Sequence, residues 1–221
     1  VGFLEYSEII QITLLSLRVS GIAVLLSTLV GVFTGAYIAV SQTRFKNIIV
    51  TLVNTFMGTP PVLLGLVLYL LLSRSGPLGF LGILFTPEAM ILAQFLLTLP
   101  IITGLTITAI EALPQETKEF FRSLAIPKHY ELLLTLNEAR VGIFGGVLAA
   151  LARAVSEVGA VIIVGGNIRY YTRVLTTAIV FYTNTGEFEM VLWLGAVLTL
   201  VYLAINTVLL ILRFKLGVKG A

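Results

Sequence analysis

Apolar residues fall in long unbroken runs, not in the alternation of a half-buried strand or the narrow stripe of a soluble amphipathic helix. Five runs, 9–40, 48–72, 87–110, 141–164 and 191–212, reach the roughly 20 helical residues that a bilayer core requires. Each predicts a transmembrane α-helix, so the fold class is all-α: a polytopic transmembrane helical protein with five predicted spans. The first run is too long for one straight span, since its 32 residues at about 1.5 Å each reach roughly 48 Å. Its N-terminal third is expected to project or lie at the interface, placing Arg18 near a membrane surface.

Prolines and caps divide the runs. In the second, "MGTPPVLLG" puts Pro60 and Pro61, neither with a backbone N–H, near the middle of the span. A helix break there is tolerated only against protein or a wet cavity, which makes the two prolines a first pointer to a pathway. The third run has a defined start, with Thr86 as N-cap, Pro87 at the first helical position and Glu88 in the first turn. Pro100 is expected to kink it. Gly21, Gly31 and Gly35 read as points of close helix packing, and Trp193 as an interfacial belt residue. The start, "VGFLEYSEII", carries two glutamates and no basic region, and does not read as a signal peptide.

Composition agrees and excludes other classes. The 221 residues are 58% hydrophobic and 11% charged, with a mean hydropathy of +1.05, against about 25% charged in an ordinary soluble domain. There is no cysteine for disulfides or thiolate metal sites, and the single histidine, His129, cannot build a histidine-rich one. His129 reads as a solvated or partner-contacting loop residue. All eleven acids are glutamates, which removes aspartate-based triads and clusters. No catalytic, cofactor-binding or metal residues are expected, and a net charge of +3 does not argue for nucleic acid in a membrane protein.

The basic residues set an orientation. Arg44, Lys46, Lys118, Arg122, Lys128, Arg140, Arg213, Lys215 and Lys219 fall on one side of five spans, and Arg74, Arg169, Arg173 and Arg18 on the other. The positive-inside rule then puts the C-terminus in the cytoplasm and the N-terminus outside.

One charged pair remains in the membrane. In "ARAVSEVGA", Arg153 and Glu157 stand four residues apart, about 40° on one helix face. Ionisable residues inside a membrane face protein or water, so this face points at a dimer interface or the pathway. The pair either orders helix packing or acts as a gate that changes partners. Beyond it, "GGNIRYYTR" reads as a glycine C-cap and a loop that meets a soluble binder, or as an oxyanion site of backbone amides and two arginines.

The cytoplasmic connection, 111–140, is far longer than the two to eight residues a bare helix–helix loop needs. "QETKEFFRSLA" is a good helix former, and Pro127 opens a second segment, "PKHYELLLTL". Phe120, Phe121 and Leu124 supply an apolar face, with Lys118, Glu119 and Arg122 exposed. Two such helices serve either as membrane-surface ballast or as a docking surface for a soluble partner.

"EFFRSLA", Glu119 to Ala125, resembles the signature of type I ABC-importer permeases, with Phe120 and Phe121 where the family has alanines and Ala125 where it has glycine. "TPPVLLGLVLYLLLSRSGPLG", "ILAQFLLTLPI" and "ARAVSEVGAVIIVGGNIRYYTRVLTTAI" look like the molybdate/tungstate permease family. The resemblance covers about residues 9–212. The departures in the cytoplasmic motif and in "NEAR" look more like the tungstate branch, and molybdate permeases commonly carry an additional N-terminal span that is missing from this sequence.

The resemblance implies a type I ABC-importer transmembrane domain over 9–212, with coupling helices at about 115–136. It implies a homodimer in a prokaryotic plasma (inner) membrane, surrounded by lipid, with cytoplasmic ATP-binding subunits and an extracytoplasmic oxyanion-binding protein. The cargo would be a tungstate-like oxyanion, with molybdate as the near alternative. Glu119, Phe120, Phe121, Arg122, Leu124 and Ala125 would make the ATPase coupling surface. ATP hydrolysis is expected elsewhere, because no Gly-x-x-x-x-Gly-Lys-Ser/Thr phosphate cradle occurs here. A stand-alone secondary transporter should show an inverted repeat or a coupling-ion carboxylate site, and neither is visible.

Overall fold

The computed structural model describes residues 3–41, 44–123 and 126–215, and Leu124 and Ala125 lie outside them. The described chain forms ten α-helices: α1 (Phe3–Val40), α2 (Lys46–Met57), α3 (Pro61–Leu72), α4 (Pro87–Glu111), α5 (Gln115–Ser123), α6 (Lys128–Glu138), α7 (Arg140–Val155), α8 (Gly159–Gly165), α9 (Leu175–Thr185) and α10 (Phe188–Lys215). Three of them, α1, α4 and α10, are long and apolar enough to cross a membrane unaided.

The other crossings are interrupted. Helices α2 and α3 meet at 93°. Gly58 ends α2, donating its N–H to Thr55 and Phe56 carbonyls, and Pro60 adopts φ −61°, ψ 123° before Pro61 opens α3. The extended backbone before a proline and the missing N–H groups together break the helix where the sequence places the break. The pair still crosses: Lys46 starts α2 beside Glu111 at the end of α4, and Tyr69 in α3 stacks on Phe85, just before α4 begins.

The fourth span differs from expectation. It does not run continuously over 141–164; α7 ends at Val155 and α8 begins at Gly159. The two halves carry the chain from Ala109, against which Gly142 packs, to Met90, against which Gly165 packs. A second bend, of 73°, separates α6 from α7.

Helix α4 is the hub around which α1, α2, α7 and α8 pack. It starts as predicted, with Thr86 Oγ1 accepting from the Ala89 N–H at 3.5 Å, and it runs through Pro100 without ending. Ser27 Oγ and Thr98 Oγ1, 2.7 Å apart, tie it to α1. Close approach explains two of the three glycines: a Cβ on Gly35 would lie 2.6 Å from the Thr103 carbonyl, and one on Gly31 would lie 3.1 Å from Ile102. Gly21 has nothing within 4 Å, so close packing does not account for it.

Helix α1 overshoots α4. Arg18 lines one cavity with Pro87, so the residues before it extend past the start of α4. They do not lie alone at an interface. Ile9 and Ile12 pack with Leu175, Ala178 and Tyr182 of α9 and with Met190 and Leu194 of α10, making a cap over the N-terminal end of α1 with its own small core. Trp193 stacks edge-on against Tyr6 at the same end.

The interrupted spans as a candidate translocation site

The two breaks meet. A Cβ added to Gly65 would lie 2.8 Å from Ala160 Cα, and one on Gly159 would lie 2.5 Å from Val62 Cγ2. Gly65 of α3 and Ala160 of α8 therefore pack backbone to backbone, which only small residues permit, and Gly159 makes room for the Val62 side chain.

The α7–α8 break is held by polar groups from α4, α9 and α10. Glu157, 4% exposed, accepts the Ala160 N–H on Oε1 at 3.2 Å, capping the start of α8. Its Oε2 lies 3.3 Å from Arg153 Nη1, and the Arg153 side chain is 45% exposed. The Glu157 carbonyl accepts from Thr176 Oγ1 of α9 at 2.7 Å. Gln94 Nε2 of α4 donates to the Ala154 carbonyl at 3.0 Å, and Tyr202 Oη of α10 to the Ala152 carbonyl at 2.9 Å. Backbone groups freed inside a membrane need replacement partners. The Ala160 N–H and the Glu157 carbonyl find theirs in side chains, while the Ala152 and Ala154 carbonyls also keep the N–H groups of Ser156 and Glu157.

Arg153 and Glu157 thus come together for a different reason than a shared helix face. Glu157 stands in the gap between two helices and caps the second. Gln94, Thr176 and Tyr202 were not singled out from the sequence. A lone glutamine in the apolar run of α4 is the signal that could have found the first; the other two hydroxyls carry none.

At the N-terminal end of α1 lies a buried ionic knot that sequence reasoning missed. Glu8, 3% exposed, accepts from Arg169 Nε at 3.2 Å and Nη2 at 2.6 Å, and from Tyr182 Oη at 2.7 Å. Arg173 Nη1 lies 3.6 Å from the same carboxylate, and its guanidinium stacks 4.1 Å over the Phe181 ring. The hydrogen bond from Arg169 to Glu8 raises the guanidinium pKa above its ordinary value. Burial first, then the bond to Glu8, pushes the Tyr182 phenol up to about 12.

The knot pins the loop 166–174 to α1. Gly166 ends α8 at φ +71°, the glycine C-cap the sequence predicts. Asn167 and Tyr170 also adopt positive φ, 50° and 62°, a costly conformation for residues with a Cβ. Tyr170 and Tyr171 are exposed beside an open cavity of about 570 Å³ that Glu8, Arg18 and Arg173 also line.

At the opposite end, Lys46 Nζ meets Glu111 Oε1 at 2.9 Å and the Ala39 carbonyl at 2.8 Å, and Lys118 Nζ donates to the Glu111 carbonyl at 2.6 Å. This grouping gathers the ends of α1 and α4 and the starts of α2 and α5. Helix α5 presents Phe120, 59% exposed, with Phe121 half-buried beside it at 6.1 Å between ring centroids. Glu119 accepts from Gln115 Nε2 at 2.8 Å. Tyr130, Leu133 and Leu134 of α6 are exposed as well, and His129 is an exposed neighbour of Tyr130. No group of metal-binding side chains occurs among the described residues.

The sequence is similar to known proteins over nearly its whole length. The chain is 40% identical over 211 residues, 93% of it and 91% of the relative, to a probable anion ABC transporter permease protein of Haloferax volcanii. It is 38% identical over 202 residues, 91% of it and 89% of the relative, to the tungstate uptake system permease protein TupB of Peptoclostridium acidaminophilum. The molybdenum transport system permease protein ModB of Azotobacter vinelandii is 27% identical, covering 93% of this chain and 95% of its own. Residues 27–216, from the middle of α1 past the end of α10, match the family described as binding-protein-dependent transport system inner membrane component. With that match over most of its length and helices apolar enough to cross a membrane, the chain belongs to that family of multi-pass ABC-importer permeases.

Proposed function

We propose that residues 9–212 act as one transmembrane domain that carries a tungstate-like oxyanion inward. It works as a homodimer with two cytoplasmic ATP-binding subunits and an extracytoplasmic oxyanion-binding protein. The observation that carries the reading is 38–40% identity, across about nine-tenths of the chain, to relatives whose names specify anion or tungstate permeases. The molybdenum relative is more distant at 27%. Purifying the cognate binding protein and titrating it with tungstate, molybdate and sulfate tests the cargo. Tightest binding is expected for tungstate, and binding of sulfate alone would overturn the assignment.

In this reading the N-terminus is outside and the outer cap, with Tyr170 and Tyr171, faces the binding protein. The chain has no cysteine, so Ser41→Cys and Ser75→Cys report orientation directly. An impermeant thiol reagent should label the second from outside and the first only from inside. Labelling of both from one side would refute the topology.

Helices α5 and α6 serve as the coupling surface, through Glu119, Phe120, Phe121 and Arg122, together with Leu124 and Ala125. Buried aromatics usually dominate interface energetics, so Phe121→Ala should weaken ATPase association and uptake more than charge reversal at Glu119. If Phe121→Ala leaves both intact, α5 is membrane-surface ballast and not a docking element.

Pro60 and Pro61 mark the pathway break, and Arg153 with Glu157 sits beside it as a packing pair or a gate.

A further inference from the structure

Helix α2 has three faces, and only two have an explanation. Val50, Val53 and Met57 are half-buried and turn toward α4, where Val53 and Met57 approach Gly104. Ile48, Leu52 and Phe56 are exposed and apolar, as lipid requires. Asn47, Thr51, Asn54 and Thr55 fall on the third face, within about 100° of arc at 3.6 residues per turn. All four are exposed, and no residue of α2 is buried.

Such a face does not suit lipid. An amide moved to an apolar medium without a hydrogen-bond partner costs several kilocalories per mole, and neither Asn47 nor Asn54 has a side-chain partner among the described residues. The hydroxyls are already committed: Thr51 Oγ1 donates to the Asn47 carbonyl and Thr55 Oγ1 to the Thr51 carbonyl, both at 2.8 Å. The free donors on this face are therefore the asparagine amides. The stripe continues at its inner-membrane end into Gly58, which is exposed at the α2–α3 break, and a break within a membrane needs protein or water against it.

Resting on the oxyanion-importer reading, we propose that this face of α2 lines the passage for a hydrated tetrahedral oxyanion. Asn47 and Asn54 donate to the anion, and the second copy of the chain closes the far side. The lining holds no charge of its own. A dianion meets neutral amides two helical turns apart, attractive enough to replace part of its hydration and weak enough to release it, the condition for passage. A carboxylate at the same place would repel it.

The test uses the complete transporter in proteoliposomes: permease, ATP-binding subunits and binding protein. In the cysteine-free chain, Asn54→Cys and Leu52→Cys are treated with an anionic methanethiosulfonate and read by mass and by tungstate uptake. Asn54→Cys should be modified and lose uptake, while Leu52→Cys should stay unmodified and active. In parallel, Asn54→Asp should cut uptake by about tenfold or more through like-charge repulsion, well below Asn54→Gln, which keeps an amide donor. An inert Asn54→Cys would mean a dry contact between copies and overturn the proposal, as would Asn54→Asp transporting normally. The labelling contrast needs no transported substrate. If the unsubstituted transporter takes up no tungstate, the cargo reading fails, while modification at 54 but not 52 still identifies α2 as the wet face.

Discussion

Replacing Glu8 with alanine is expected to cost about 3–5 kcal/mol of stability, the usual penalty for leaving a buried charge without its partner. The charge left behind is Arg173, whose side chain is only 8% exposed. Arg169 is more than half exposed, so its share of the loss is screened and small. Tyr182 would lose the acceptor that its hydroxyl reaches at 2.7 Å. Because Glu8 is the only acid holding the loop 166–174 to α1 among the described residues, the cap that α1 forms with α9 and α10 should loosen before the membrane spans do. Thermal unfolding of the purified permease and limited proteolysis of the loop check this. Glu8→Gln, which keeps an acceptor for Tyr182, should fall between alanine and wild type. An unchanged melting temperature for Glu8→Ala would show that the knot contributes nothing. The phenol adds a pH signature. Its pKa is raised from about 10 to about 12 in the fold, so its contribution is complete below pH 10 and disappears as pH rises through 12. Tyr182→Phe should abolish that alkaline loss.

Glu157→Gln should destabilise less than a fully buried broken pair, because Arg153 is 45% exposed and keeps access to water or a partner subunit. It should still be worse than the double change Arg153→Met with Glu157→Gln, which leaves no unmatched charge. Glu157→Ala should be the most damaging of the three, since the Ala160 N–H also loses its acceptor, typically about 1 kcal/mol more. Function then separates the two roles. For a packing pair, the double variant recovers both stability and uptake. For a gate, it recovers stability while ATP hydrolysis continues with poor or leaky uptake. Wild-type behaviour of Glu157→Gln in both assays would remove both roles.

What the sequence disclosed follows from how local each cause is. The α2–α3 break and the α4 start are written in adjacent residues, Gly58 to Pro61 and Thr86 to Glu88, and both stand where expected. The α7–α8 break has no proline. It depends on Thr176, nineteen residues away, and on Gln94, sixty residues from its partner Ala154, so a continuous helix was the natural expectation. The ionic knot joins Glu8 to side chains 161 and 174 residues distant, beyond any reading of spacing. Its cation side is visible in "GGNIRYYTR", but that segment by itself suggests a loop or an oxyanion site and says nothing of an N-terminal glutamate as partner. Helix α9 went unread because "LTTAIVFYTNT" is too short to span and lies between a loop and Gly186.

The central claim, that this chain is the membrane pathway of an ATP-driven oxyanion importer, is tested most directly by reconstitution. Permease, cognate ATP-binding subunits and binding protein are combined in proteoliposomes, and uptake of tungstate is followed with and without internal or external ATP on the appropriate face. The account predicts uptake that requires all three components and ATP, and that stops when any one is omitted. Tungstate movement by the permease alone, following its gradient without ATP, would contradict it.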